Sequence, residues 1–454
     1  MRMIRKCVVA VAAAAAVTSV WACSLDLENP NAPTETQVTT SVDGVIALAT
    51  GLQGRFAASY GNFAYMAGLV TDEFASGSSA LISISDAEQG SVAPGTAIAE
   101  NVFNSAYRTV RTADDLLAGS EALAEQFEPG TRSGLRALAF ALKAEALGEA
   151  LQSYQQIPID TYNEDQPVYV ARSAALARVR ELLESAAAEI AQTPPSTFFN
   201  ATIRTPGVSL PNMIHLFRAR YARMANDHAA AVAASNLVAR TGTAALSQLT
   251  FPPPAVNFYA NVTTGVNIIG PRRQWRLSMQ AQDQRHTYFV TPSTTLTGRV
   301  GALLDLWSRY ANLQAPLPVY FPDEALLIKA EALANQGDLT QAQAVLDSVR
   351  TDCAGGRGLD DPKACLPAYS GPVTQADLLA DIYVQRRYEL FATGLRWEDA
   401  RRRGAVRGPA AAPAVPVDAQ RCWLPYAIGD RNANTNVPAD PAEPTAFPAS
   451  CPTS

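Results

Sequence analysis

Histidine is scarce, three residues in 454, and no two cysteines stand in Cys-x-x-Cys spacing. Zinc usually draws its ligands from such clusters, so zinc is the weaker rival to disulfides as the role of the cysteines. The chain has no Gly-x-Ser-x-Gly, no His-Glu-x-x-His and no phosphate-binding loop, hence no recognisable motif for a nucleophile, a metallohydrolase or nucleotide binding. Basic charge is in deficit, 36 Lys and Arg against 42 Asp and Glu, which disfavours nucleic acid as a partner. Acidic residues are missing altogether before Asp26, and beyond residue 22 no apolar run reaches the roughly twenty residues that span a bilayer.

What is present begins with a leader. Arg2, Arg5 and Lys6 precede the apolar stretch CVVAVAAAAAVTSV at 7–20, too short for a membrane span and suited to a secretory signal. The sequence Val20-Trp21-Ala22-Cys23 resembles a lipobox, with Trp21 where a small residue is usual. Residues 1–22 are therefore read as a lipoprotein signal peptide and Cys23 as the lipid attachment site, followed by a polar, proline-punctuated tether at 25–34. The simpler alternative is an ordinary signal cut after Ala22, with Cys23 a plain thiol. The leader takes three basic residues and no acidic ones, which leaves the mature chain at a net charge of −9. Four further cysteines remain, Cys353, Cys365, Cys422 and Cys451. In an exported chain these are disulfide partners. Of the three connectivities open to four cysteines, the local one, 353 with 365 and 422 with 451, is expected.

Most of the mature chain reads as alanine-rich amphipathic helix, over 45–66, 101–127, 131–154, 173–192, 212–240, 323–336, 339–353 and 374–403. Polar or proline-rich loops lie at 193–210, 250–300 and 404–418, and the middle one is long enough to suggest function. One pair of helices has a hairpin signature. Leu326, Ala330 and Leu333 share a face, Gly337 breaks the helix, Asp338 can cap the next, and Ala342 stands twelve residues after Ala330. Ala219, Asn226, Asp227 and Ala231 repeat the arrangement, the physical signature of tetratricopeptide-like hairpins.

The segment 382–404, IYVQRRYELFATGLRWEDARRRG, resembles the C-terminal helix-turn-helix of the SusD/RagB family of outer-membrane lipoproteins. Arg386, Arg387, Glu389, Leu390, Gly394, Arg396, Trp397, Asp399, Arg402 and Gly404 fall in register, while Gln385, Thr393 and Ala400 depart from the pattern. Shorter matches come in the family's order: Asn29-Pro30-Asn31, Thr71-Asp72-Glu73, YQQIPID at 154–160, Asp283-Gln284-Arg285, FPDEALLIKAEAL at 321–333 and LPYAIGDRNANTN at 424–436. The resemblance implies an all-α fold, with tetratricopeptide-like helical hairpins within about 130–350, a loop-rich ligand-binding part, and one SusD-like domain over 23–454. It implies a surface-exposed, lipid-anchored outer-membrane protein that captures an oligosaccharide or other nutrient. It would deliver that ligand to a SusC-like TonB-dependent barrel.

Stacking on sugar rings needs aromatic faces, and polar groups must meet the hydroxyls. By analogy with the family, Phe74, Trp275, Arg276, Tyr288, Trp307 and Tyr310 are the expected ligand contacts, whereas Trp397 and its motif are scaffold. No catalytic residue, cofactor or metal is expected. The adjacent Asp360-Asp361 between Cys353 and Cys365 reads as solvated charge, with calcium the lesser alternative. A tetratricopeptide-like scaffold for protein partners and a glycoside hydrolase are the rival functions. Replacing Cys23 with Ala should move the protein from the membrane fraction to the soluble one on fractionation; retention in the membrane would refute the anchor.

Overall fold

Ser41 accepts a hydrogen bond from the Gly44 amide (3.1 Å) and so opens helix α1, Val42–Leu69. The computed structural model describes residues 38–242, 244–259, 268–353, 359–406, 419–444 and 451; the leader, Cys23 and Asn29-Pro30-Asn31 lie outside the described residues. A short α2 (Ile82–Glu88) leads to α3 (Ala97–Ala122), α4 (Pro129–Ser153) and α5 (Arg172–Gln192). Alanines and leucines let α4 be buried almost all round, and α1, α3 and α5 pack against it.

Two hairpins follow the predicted spacing. Helix α6 (Leu210–Met224) ends at Asn226, which takes a left-handed φ of 56°, and Asp227 caps α7 (His228–Leu237) by accepting from the Ala230 amide (3.1 Å). The single helix read over 212–240 is thus two helices, broken at the residues that the repeat had marked. Short α8 (Arg273–Leu277) and α9 (Arg285–Phe289) lie in the middle loop, ahead of the second hairpin, α10 (Pro322–Asn335) and α11 (Leu339–Arg350). Its turn uses Gly337 at φ 84°, and Asp338 accepts from the Gln341 amide (3.2 Å). Ala219 and Ala231, like Ala330 and Ala342, have no exposed surface, so the backbones of each hairpin approach closely.

The stretch read over 374–403 divides into α12 (Gln375–Glu389) and α13 (Leu395–Arg402). Gly394 at φ 83° makes the turn, and a Cβ there would lie 2.5 Å from the Phe63 ring on α1, so no other residue fits without displacement. Helix α14 (Ile428–Ala433) closes the described helices. Strand is confined to four short antiparallel pairs among the described residues: 74–76 with 269–271, 156–158 with 169–171, 248–249 with 317–318, and 290–291 with 306–307. The fold is therefore all-α, with tetratricopeptide-like hairpins and a loop-rich half. Cys353 is bonded to Cys365 and Cys422 to Cys451, with Cα separations of 4.6 and 5.5 Å.

Charge, unusually, holds the layers together from inside. Asp399 on α13 accepts from Arg386 of α12 (2.7 Å), Arg402 of its own helix (2.9 Å) and Arg223 of α6 (3.1 Å). Arg402 continues to Glu331 of α10 (2.6 and 3.0 Å). Asp72, just after α1, receives Arg396 of α13 (2.9 Å) and Arg387 of α12. Arg220 of α6 bonds Glu324 of α10 twice (2.7 and 2.8 Å) and also meets Glu145 of α4. Burial alone would raise Asp399 and Asp72, but the facing guanidinium groups outweigh it and hold both below the ordinary carboxylate range. Glu73 differs. Burial, and then the charge of adjacent Asp72, raise its carboxyl to about 8.

Trp397 has no exposed surface and its indole N–H donates to the Arg421 carbonyl (2.8 Å). Trp397→Ala should cost about 3–5 kcal/mol of stability by denaturant titration. A pH series tests Glu73. Its folded carboxyl binds a proton up to about pH 8, whereas its ordinary value is 4.5, so unfolding releases that proton between those limits. The contribution of Glu73 to stability is then full below 4.5 and lost as pH rises through 8. Glu73→Gln, which has no proton to lose, should gain on the wild type steadily across that window. A pH-independent difference would contradict this.

Candidate functional site

The loop-rich half is built on the strand 74–76 and its partner 269–271, which bring the middle loop back against the end of α1. From there the chain forms a hairpin at 296–304. Leu304 donates to the Leu296 carbonyl (3.0 Å), and Gly298 donates to Ala302 (2.7 Å). Arg299 ties the hairpin to the segment before α2, its amide to the Ser76 carbonyl (3.0 Å) and its guanidinium to the Ala80 carbonyl (2.8 Å). Leu81, Ile82, Val300 and Leu303 are exposed on these two segments, so the rim here is aliphatic.

Beneath the hairpin, Asp305 is fully buried and acts as a hub. Arg276 grips it with two bonds (2.6 and 3.1 Å), and the Ser293 amide donates a third (2.9 Å). Sequence reading did not single out Asp305. The signal was there, a lone acid inside the apolar run Leu303-Leu304-Asp305-Leu306-Trp307, where a carboxylate has to find buried partners.

The six expected contacts divide sharply. Phe74, Trp275, Trp307 and Tyr310 are buried, at 0%, 0%, 5% and 1% exposure. Phe74 meets Trp307 (5.1 Å between centroids) and Phe391 (5.6 Å), Trp275 lies 3.9 Å from Phe391, and Tyr310 stacks on Tyr259 (5.0 Å). A platform for a sugar must offer a free face, and these faces are taken by other rings. The structure therefore corrects the expectation for these four: they are the aromatic core under the loops. Arg276 and Tyr288 remain half-exposed. Arg276 is held by Asp305, while Tyr288 donates to the Asp360 carbonyl (3.0 Å) and carries the Arg309 guanidinium over its ring at 4.4 Å. Among the described aromatic residues Phe198, at 46%, is the single exposed one.

Two acid pairs are likewise internal. Asp72 and Glu73, and Glu145 with Glu149, are buried in the core. Asp323, Asp352 and Asp361 bring carboxylate oxygens within 4.8 Å of one another, and Lys363 inserts its ammonium between Asp352 (3.0 Å) and Asp361. That cluster carries its own counter-charge. Asp360 points outward and pairs with Arg309 (2.8 Å).

If Trp275 is core rather than platform, Trp275→Ala should cost about 3–5 kcal/mol of stability in denaturant titration. Unchanged stability with lost ligand affinity would restore it to the site. Asp305→Ala should leave Arg276 without its partner and increase protease cleavage within 290–306; an unchanged digestion pattern would deny the hub.

Residues 309–426 match the SusD family model. No curated protein matches the sequence. Among solved structures, a SusD superfamily protein from Bacteroides thetaiotaomicron superposes with a TM-score of 0.68 at 13% identity, covering 89% of this chain and 100% of that one. A SusD superfamily protein from Bacteroides fragilis gives 0.67 at 17%, covering 88% and 99%. Surface glycan-binding protein A from Bacteroides uniformis gives 0.65 at 13%, covering 86% and 99%. At these identities the likeness is one of fold, and the sequence match lies in the segment that holds α12 and α13. The SusD family match is thus confined to residues 309–426, and over nearly nine-tenths of its length the chain shares the fold of the SusD superfamily structures.

Proposed function

We propose that this protein captures a carbohydrate at the cell surface and passes it, unaltered, to a SusC-like TonB-dependent barrel in the outer membrane. The observation that carries the reading is the extent of the likeness. The C-terminal match, with superpositions over 86% and 88% of the chain on surface glycan-binding protein A from Bacteroides uniformis and a SusD-like carbohydrate-binding protein from Bacteroides vulgatus, supports it. The lipobox-like Cys23 supplies the anchor, and residues 23–454 form the one domain that acts. Among the described residues no helix is long and apolar enough to cross a membrane, so the tether would be the lipid.

Burial of Asp72 with Glu73 and of Glu145 with Glu149 supports capture over hydrolysis. A glycosidase needs two carboxyl groups flanking the scissile bond within reach of substrate. The braced loop half, with Arg276 and Tyr288 half-exposed at its surface, suits recognition by a preformed surface. Affinity purification of the native lipoprotein from detergent-solubilised outer membrane should recover a large β-barrel protein. Incubation with a bound glycan should return it unchanged by mass spectrometry. Recovery of no barrel would favour a protein-binding scaffold, and cleavage of the glycan would favour a hydrolase.

A further inference from the structure

Between α1 and the start of the middle loop, at 250–258, a cleft of about 460 Å³ opens. Its floor is the small-residue surface of that helix, Gly54, Ala57 and Ala58. Its far wall is the segment before the middle strands, which contributes the half-buried rings of Phe251 and Phe258. The volume falls within the range of sites for small ligands, roughly 300–1,000 Å³.

The walls are held in place. Asn257, fully buried, donates from its backbone to the Leu313 carbonyl (2.8 Å) and from its side chain to the Asn312 carbonyl (2.6 Å). That fixes Phe258, whose ring lies directly on Gly61, where a Cβ would come within 2.4 Å of it. On the other side Gln53 joins α1 to the 203–205 turn, donating to the Ile203 carbonyl (3.0 Å) and accepting from the Thr205 amide (2.7 Å). A ligand entering here would meet rings and hydroxyls already in position.

The lining chemistry selects the ligand. Phe251 and the part of the Phe258 ring not packed on Gly61, Tyr65 and Tyr259 contribute apolar surface, and Thr205 and Thr250 add hydroxyls. Among the described residues no Asp, Glu, Lys, Arg or His lines the cleft. A charged group would lose its hydration there with nothing to replace it, whereas a ring with C–H faces and an equatorial fringe of hydroxyls meets both kinds of surface. We propose that this cleft binds a neutral pyranose unit, as a subsite or the main site for an uncharged oligosaccharide. The proposal rests on the carbohydrate-capture reading and names where and of what charge class the sugar is.

Gly54 provides the test, because a Cβ built there meets nothing within 4 Å. Gly54→Leu should fold as well as the wild type, since leucine is the better helix former, while its side chain fills the floor. Calorimetric titration of the full-length lipoprotein in detergent would use four neutral hexasaccharides (maltohexaose, cellohexaose, xylohexaose and mannohexaose) and the acidic hexagalacturonate. The wild type should bind at least one neutral sugar in preference to the acidic one. Gly54→Leu and Phe251→Ala should each weaken that binding at least tenfold, and Gly54→Leu should keep its melting temperature. Neutral-sugar binding that survives both substitutions would overturn the cleft while leaving carbohydrate capture intact. Preference for hexagalacturonate would overturn the assignment of charge class. Binding to none of the five would overturn the cleft and the capture reading together.

Discussion

Buried guanidinium–carboxylate pairs are the constraint on which the rest of this molecule depends. Helices α12 and α13 bury apolar residues such as Ile382 and Trp397, and their charged residues reach α6, α10 and the segment just after α1. Asp399 reaches three arginines, Arg402 carries the chain of contacts to Glu331, and Arg396 returns it to Asp72 at the end of α1. Apart from Arg402, which keeps part of its side chain in solvent, these charges are out of water and must be matched, which narrows the geometry. The cost is stability that an apolar interface could have supplied. The gain is a fixed relation between hairpins and loops.

That fixed relation explains why the loop half can be so irregular. The middle loop has little regular structure of its own, yet its backbone is held by Asp305, by Asn257 and by the short strand pairs. Its large aromatics are spent inward, as a shared cluster around Phe391 just before the Gly394 turn. A capture surface on this protein therefore has to be made from what is left: half-exposed rings, aliphatic rim residues, and arginines already engaged with acids. The uncharged cleft on α1 stands out against that background because its polar groups are hydroxyls and an amide.

Much of the architecture was legible in the sequence, for identifiable reasons. Periodic leucine and alanine gave the long helices to within a few residues, because a helix face needs the same spacing wherever it packs. Asn226-Asp227 and Gly337-Asp338 marked both hairpin turns, since a left-handed residue followed by a capping acid has few other uses. The site was far less legible. An aromatic residue in a loop reads the same whether its face is free or covered, and burial of Phe74, Trp275, Trp307 and Tyr310 depends on rings contributed from residues 259, 289 and 391. Phe251 and Phe258 went unnoticed for the converse reason: what makes them wall residues is the glycine-rich face of α1, nearly two hundred positions away.

The central claim, that the motif charges couple the two halves, is open to one direct measurement. Native-state hydrogen exchange would be compared between the wild type and Asp399→Asn, which keeps the side chain's size and removes its charge. The account predicts that protection falls together in α6, α10 and the 74–76 and 269–271 strands, although only α6 among them touches residue 399 directly. Loss of protection confined to α12 and α13, with hairpins and loops exchanging as before, would contradict it.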